Sequence, residues 1–221
     1  MSPAWSLAVA VTGYLLGSLP FGYVVARAHG VDIFKEGSGN PGATNVKRVL
    51  GEKFGRKGRN AGNLVFALDA VKGALAAGWP LLATFFTPLA ATEARLLGLV
   101  GVIAAVLGHS YSIFTKFKGG KGVATAAGGL VVLMPFACLV GAAVWVLTFA
   151  TTRYVSLGSV LAAVAVPATS WYRWWRGDHP LAFSLVATAL GLFVIVRHRS
   201  NIKRLLAGTE PRFAKKPAAE S

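Results

Sequence analysis

Acidic residues are scarce in this chain, and so is charge altogether. Its 221 residues hold 8 Asp and Glu against 23 Lys and Arg, and charged residues make up only 14%, where a water-soluble domain carries about 25%. That shortfall excludes an ordinary soluble domain. Cysteine occurs once, at Cys138 in an apolar segment, so no intrachain disulfide forms and the residue says nothing about compartment. No Lys or Arg precedes Arg27, so the first apolar stretch lacks the basic n-region of a cleaved signal peptide and is expected to stay as a span. No Cys, His, Asp and Glu residues stand at zinc-ligand spacing, and no nucleophile has an obvious base and orienter.

What is present is apolar: 54% hydrophobic residues and a mean hydropathy of +0.57. The pattern predicts an all-α, polytopic integral membrane protein of about seven transmembrane helices, some short, forming a single domain over 1–221. The spans are expected at residues 5–26, 63–86, 96–114, 155–172 and 181–196, with residues 123–152 divided into two short helices near Met134-Pro135. The basic loops 27–59 and 116–122 and the basic tail fall on one side, which the positive-inside rule makes cytoplasmic. The N-terminus is then outside and the C-terminus inside, with only Arg95, Arg173 and Arg176 of the 23 Lys and Arg outside. A net charge of +15 would suggest nucleic acid in a soluble protein; here it lies in loops, where it sets orientation and meets anionic lipid or substrate.

Residues 34–48, FKEGSGNPGATNVKR, form a basic, amide- and hydroxyl-rich turn between apolar segments. Gly37, Gly39 and Gly42 permit positive φ, so backbone N–H groups of the turn are expected to converge on an anion. Ser38, Asn40, Thr44 and Asn45 add neutral donors, and Lys47 and Arg48 add charge. The glycines satisfy G-x-G-x-x-G, but a helix-length apolar stretch precedes them and Arg-Lys-Gly-Arg stands where an acidic ribose ligand belongs, so a dinucleotide site is rejected.

The second basic loop carries Lys118, Gly119, Gly120, Lys121 and Gly122, a glycine turn able to enclose a phosphate. It is not a P-loop, since no glycine stands at the required earlier offset and no Ser or Thr follows Lys121. The tail sets His198 and Asn201 on one helical face beside Lys203 and Arg204. Asp69 and Lys72 stand three apart inside a span, where they read either as a functional pair or as a self-neutralising one. Trp171 to Arg176 reads as an interfacial aromatic belt, and Gly13-x-x-x-Gly17 as a seat for a neighbouring helix.

Three motif regions thus face one side: 34–48, 108–125 and 198–210. Their cations, hydroxyls and amides suit a transfer in which phosphate groups bring their own reactivity, with the protein supplying alignment and anion stabilisation. The stretches GSGNPGATN-x-x-R (37–48), GHSYSIFTKFKGGKGVAT (108–125) and HR-x-N-x-x-RL-x-x-G-x-E (198–210), together with Asp69-x-x-Lys72-Gly73, resemble the bacterial acyl-phosphate:glycerol-3-phosphate acyltransferases, the PlsY type. The departures are mild: Pro41 replaces a frequent aliphatic residue, and Ser112 and Thr115 fall at variable positions.

The resemblance implies a multi-pass enzyme of the bacterial inner membrane with its active site facing the cytoplasm. It would move a fatty acyl group from acyl phosphate to the 1-hydroxyl of sn-glycerol 3-phosphate, giving lysophosphatidic acid and phosphate, the first step of phospholipid synthesis. No cofactor, metal or nucleic acid is called for. Its partners would be the two substrates, the bilayer and the enzyme that makes acyl phosphate from acyl carrier protein. The catalytic set would be Ser38, Arg48, Lys121, His198 and Asn201. Phosphate and substrate binding would fall to Gly37, Gly39, Asn40, Gly42, Thr44, Asn45, Lys118, Gly119, Gly120, Lys203, Arg204 and Glu210, the last bracing the tail against a cation. Either His198 or a substrate phosphate oxygen would take the hydroxyl proton. The alternative is an organic-phosphate transporter, against which stand the absence of an inverted repeat and the clustering of polar motifs on one face.

Overall fold

Pro20 lies within the first apolar segment, where it lacks the N–H that would bond the carbonyl of Leu16 and its ring crowds that carbonyl. In the computed structural model, which describes residues 2–213, the segment forms two helices, α1 (Pro3–Ser18) and α2 (Phe21–Ala28). The continuous span expected over residues 5–26 is therefore broken at Leu19.

The next helix, α3 (Ala43–Ala83), begins twenty residues before the expected start at 63 and takes in the last six residues of the 34–48 turn. Its start follows Pro41 and an extended Gly42 (φ −69°, ψ 156°). Its first turns bury Val46, Val49 and Leu50 against Ala26, Val31, Ile33 and Val65. These apolar positions recur at i, i+3 and i+4, a helical stripe masked in the sequence by the surrounding basic residues. Gly55 (φ 58°, ψ −129°) is non-helical, so α3 kinks there before its second limb carries Asp69 and Lys72.

Among the described residues six further helices follow: α4 (Ala91–Ser110), α5 (Val123–Leu133), α6 (Pro135–Thr152), α7 (Val155–Trp175), α8 (Leu181–Arg197) and α9 (Arg199–Leu206). The expected span 96–114 thus ends earlier, at Ser110, and is followed by one 3-10 turn at Ile113–Thr115. Residues 123–152 do form two helices, joined at Met134 (φ −139°, ψ 61°) in front of Pro135. Among the described residues no strand occurs.

Among the described residues, five stretches can cross a membrane by length and composition: α1 with α2, α3, α4 with its 3-10 turn, α6 and α7; the α8–α9 pair, bent by 58°, qualifies as a sixth. The 11 residues of α5 rise about 17 Å, short of a hydrocarbon core of about 30 Å. Apolar side chains cover the outside as well as the core, and polar ones lie within. Leu7, Leu139 and Leu147 are each 66% exposed, while Asp69, Lys72, Ser110 and Thr125 are buried, as expected where the surroundings are lipid.

The chain divides between Pro135 and Phe136 into two compact units. In the first, α1 packs on α4, and α3 packs on α4 and α5. A Cβ at Gly13 or Gly17 would collide with backbone of Gly101 or Ala105, so this glycine pair lets α1 and α4 approach backbone to backbone. In the second unit α7 packs on α8, and α9 rests on both. Arg153 (φ 63°) turns the chain between α6 and α7, and its carbonyl accepts the Phe213 N–H at 3.1 Å.

Candidate functional site

The turn between α2 and α3 is built around its two asparagines. Asn45, buried at the start of α3, accepts the Ser38 N–H through Oδ1 at 3.0 Å and donates from Nδ2 to the Glu36 carbonyl at 3.0 Å. Asn40 accepts the Gly42 N–H at 2.9 Å, an Asx turn leading into the helix. Gly37 (φ 58°) and Gly39 (φ 67°) supply the left-handed conformations this path requires.

These bonds correct the expectation that the turn's amides converge on an anion. The N–H groups of Ser38, Gly39, Gly42 and Asn45 bond to Asn45, Glu36, Asn40 and Gly42 within the turn, and the Asn45 side chain holds the turn together. The Ser38 and Thr44 hydroxyls are exposed and Arg48 is half-buried, and the dipole of α3 favours an anion at its start. Thr44, Asn45, Lys47 and Arg48 are helical, not loop, residues.

The second motif folds against the first. Asn40 Nδ2 donates to the Gly119 carbonyl at 3.5 Å. Ser112 Oγ donates to the Ser18 carbonyl at 2.5 Å, tying the loop to the end of α1. Thr115 Oγ1 donates to the Lys118 carbonyl at 2.5 Å, and Gly120 N–H to the His109 carbonyl at 3.1 Å. A cavity of about 20 Å³, room for roughly one water, opens between Pro41, Pro20, Lys118, Gly119, Asp69 and His109. Lys118, Gly119 and Gly120 border it, whereas Ser38, Arg48 and Lys121 do not.

The third motif lies in the second unit. His198 caps α8 and is 3% exposed. Its Nδ1 lies 2.8 Å from the Val194 carbonyl, so Nδ1 carries the proton and the neutral ring's lone pair is on Nε2. Glu210 accepts Asn201 Nδ2 at 2.7 Å and Ser156 Oγ at 2.6 Å on Oε1, and Arg204 Nε at 2.7 Å on Oε2. Burial alone would raise its carboxyl pKa, but these three donors and the Arg204 charge outweigh it and hold the carboxyl below its usual range. Lys203 is exposed on the same helix. Among the described residues no group of three or more His, Cys, Asp or Glu is placed to hold a metal.

The glycerol-3-phosphate acyltransferase family model matches residues 7–208. The chain belongs to that family. Similar members include the glycerol-3-phosphate acyltransferase of Hyphomonas neptunium, 45% identical over 225 residues, covering 99% of this chain and 100% of the relative. That of Synechococcus sp. (strain JA-3-3Ab) is 43% identical over 217 residues, 97% of each chain. The crystal structure of PlsY, an integral membrane glycerol 3-phosphate acyltransferase, superposes in its glycerol 3-phosphate form with a TM-score of 0.80 at 38% identity, covering 95% of this chain and 96% of that one. Its lysophosphatidic acid form gives 0.77 at 38% identity, with 95% of each chain covered. This acyltransferase family member is accordingly an all-helical, multi-pass membrane protein.

Three residues outside the expected catalytic and binding set border the cavity. Asp69, Lys72 and His109 meet beneath the second loop: Lys72 Nζ lies 2.8 Å and His109 Nδ1 3.5 Å from Asp69 Oδ1. The pairing of Asp69 with Lys72 is legible from their i, i+3 spacing. The approach of His109, on another helix, is not. In this family member two adjoining loops of the first unit bring amides, hydroxyls and cations together, and the second unit holds a buried imidazole and an amide oriented by Glu210.

Proposed function

We propose that this chain transfers a fatty acyl group from acyl phosphate to the 1-hydroxyl of sn-glycerol 3-phosphate, releasing 1-acyl-glycerol 3-phosphate and inorganic phosphate. The hydroxyl oxygen bonds to the acyl carbonyl carbon, the bond from that carbon to the phosphate oxygen breaks, and the phosphate leaves with the bonding pair. The hydroxyl proton passes to His198 Nε2 or to a phosphate oxygen. The observation that carries this reading is the junction of two phosphate-suited loops, Asn40 Nδ2 against the Gly119 carbonyl. It agrees with the neighbouring structures of PlsY in glycerol 3-phosphate and lysophosphatidic acid forms.

Ser38, Thr44 and Arg48 at the start of α3 bind one phosphate. Lys118 and Lys121, with Gly119 and Gly120, bind the other or the oxyanion that develops as the carbonyl is attacked. His198 and Asn201 position glycerol 3-phosphate, with Lys203 and Arg204 adding positive charge. The donor is a mixed anhydride, already activated, so no metal or nucleotide takes part. An enzyme that converts an acyl carrier protein thioester to acyl phosphate must supply it.

Counting α1 with α2 as one crossing, α3, α4, α6, α7 and α8 as one each, and α5 as a short crossing of a locally thinned bilayer gives seven. The N-terminal end then lies outside, and the 34–48, 108–125 and 198–210 regions face the cytoplasm of a bacterial inner membrane. The basic loops support this orientation. The deciding experiment is phosphate release from palmitoyl phosphate by the purified protein, with and without sn-glycerol 3-phosphate. Release that depends on glycerol 3-phosphate and yields lysophosphatidic acid is expected. A folded protein that releases nothing, with acyl-CoA also failing as donor, overturns the reading.

A further inference from the structure

The Asp69 carboxylate joins parts of the first unit that are remote in sequence. Besides the contacts to Lys72 and His109, Lys72 Nζ donates to the Leu19 carbonyl at 2.9 Å, at the break between α1 and α2. His109 in turn carries the second loop. Its carbonyl accepts the Gly120 N–H, and its ring occupies the place a Cβ on Gly120 would take, while a Cβ on Gly119 would strike the His109 carbonyl. The Asp69 and Lys72 side chains are each 3% exposed, so the pair cancels its own charge inside the bundle.

The loop needs outside support. Lys116 (φ 53°) and Phe117 (φ 60°) hold left-handed conformations, as does Gly122 (φ 83°). Side-chain-bearing residues keep such conformations only where their surroundings over-determine them. Within the loop Phe117 N–H bonds to the Ser112 carbonyl at 2.8 Å. Ties to the helices beneath it include Ser112 to Ser18, Tyr14 Oη to the Tyr111 carbonyl and Gly120 to His109.

We propose that Asp69, Lys72 and His109 form a positioning network: Asp69 holds the His109 ring under Gly119 and Gly120 and the Lys72 ammonium on the Leu19 carbonyl, and so keeps Lys118 in place for a phosphate. This rests on reading the loop as anion-binding. The three side chains are buried, Asp69 and Lys72 at 3% and His109 at 9% exposed, so they act through the loop.

The test uses the full chain in detergent. Asp69→Asn alone strands a buried ammonium and is expected to melt lower. Asp69→Asn with Lys72→Met removes both charges and is expected to melt near wild type. If the pair served stability alone, this double variant would behave as wild type throughout. The network instead predicts about tenfold faster tryptic cleavage after Lys116, Lys118 and Lys121. It also predicts an approximately tenfold higher KM for one of the two phosphate substrates, with kcat changed less than about threefold. His109→Gln, which leaves the Asp69–Lys72 pair intact, is expected to release the loop in the same way and serves if the double variant fails to fold. Unchanged cleavage in a folded variant overturns the proposal, and so does faster cleavage with both KM values unchanged. A wild-type protein without acyltransferase activity would defeat the functional reading; the cleavage comparison still decides the network.

Discussion

The side-chain amide of Asn201 donates to the Glu210 carboxylate at 2.7 Å. Because a carboxylate only accepts, this contact fixes which end of the amide is which: Nδ2 faces Glu210, and Oδ1 is turned away as an acceptor. The amide is thereby fixed in one orientation against the tail carboxylate.

Replacing Glu210 by Ala leaves Asn201, Ser156 and Arg204 without their shared acceptor. The protein is expected to lose roughly 2–4 kcal/mol of stability. Thermal unfolding in detergent measures this, and a melting temperature equal to wild type would contradict it.

The same carboxylate makes stability depend on pH. Its three donors and the Arg204 charge hold the folded-state carboxyl below its ordinary range, so the ionised form stabilises the fold. That contribution is fully present above the unfolded carboxyl pKa of about 4.3 and is lost as pH falls through the lower folded value. The melting-temperature gap between wild type and Glu210→Gln should stay constant above about pH 5 and close below it.

Arg48→Ala is expected to lower kcat/KM for acyl transfer by about 10²- to 10³-fold, and Ser38→Ala by about tenfold or more, with unchanged melting. Phosphate release from palmitoyl phosphate is the measurement. Near-wild-type rates in both variants would remove the start of α3 from the site.

His198→Ala should lower kcat by about 10²- to 10⁴-fold if the imidazole takes the hydroxyl proton. If it only positions the acceptor, the change appears mainly as a raised KM for glycerol 3-phosphate. Steady-state kinetics across pH separate the two, since loss of a base lowers the rate at every pH.

Gly17→Ala places a methyl group on the Ala105 backbone and is expected to cost about 1–3 kcal/mol by forcing α1 from α4. Gly78→Ala meets only Val132 at an ordinary 3.7 Å and should gain up to about 1 kcal/mol of helix propensity. Opposite shifts in melting temperature are the expected outcome.

Local chemistry made much of this molecule legible. The division of residues 123–152 at Pro135 follows from one residue's missing N–H, and the lipid-embedded helical character from a charged fraction of 14%. The same rule applied to Pro20 would have found the break between α1 and α2, but the apolar run conceals it. Thr44 to Arg48 read as a loop because their charges hide the stripe of Val46, Val49 and Leu50, which becomes apolar packing only when Ala26 and Ile33 lie against it.

The sequence by itself determined the family, the helical class and the three motif regions, because these depend on residue type and short spacing. Tertiary structure alone decided what each polar group does. Asn45 holds the turn instead of facing a ligand, since the path of the turn brings the Glu36 carbonyl and the Ser38 N–H to its amide. His109 joins Asp69 because the packing of α3 and α4 brings two distant residues within 3.5 Å. Hydrogen bonds and ion pairs act over a few ångströms, so the partner of a buried polar group is set by the packing of helices that sequence spacing does not specify.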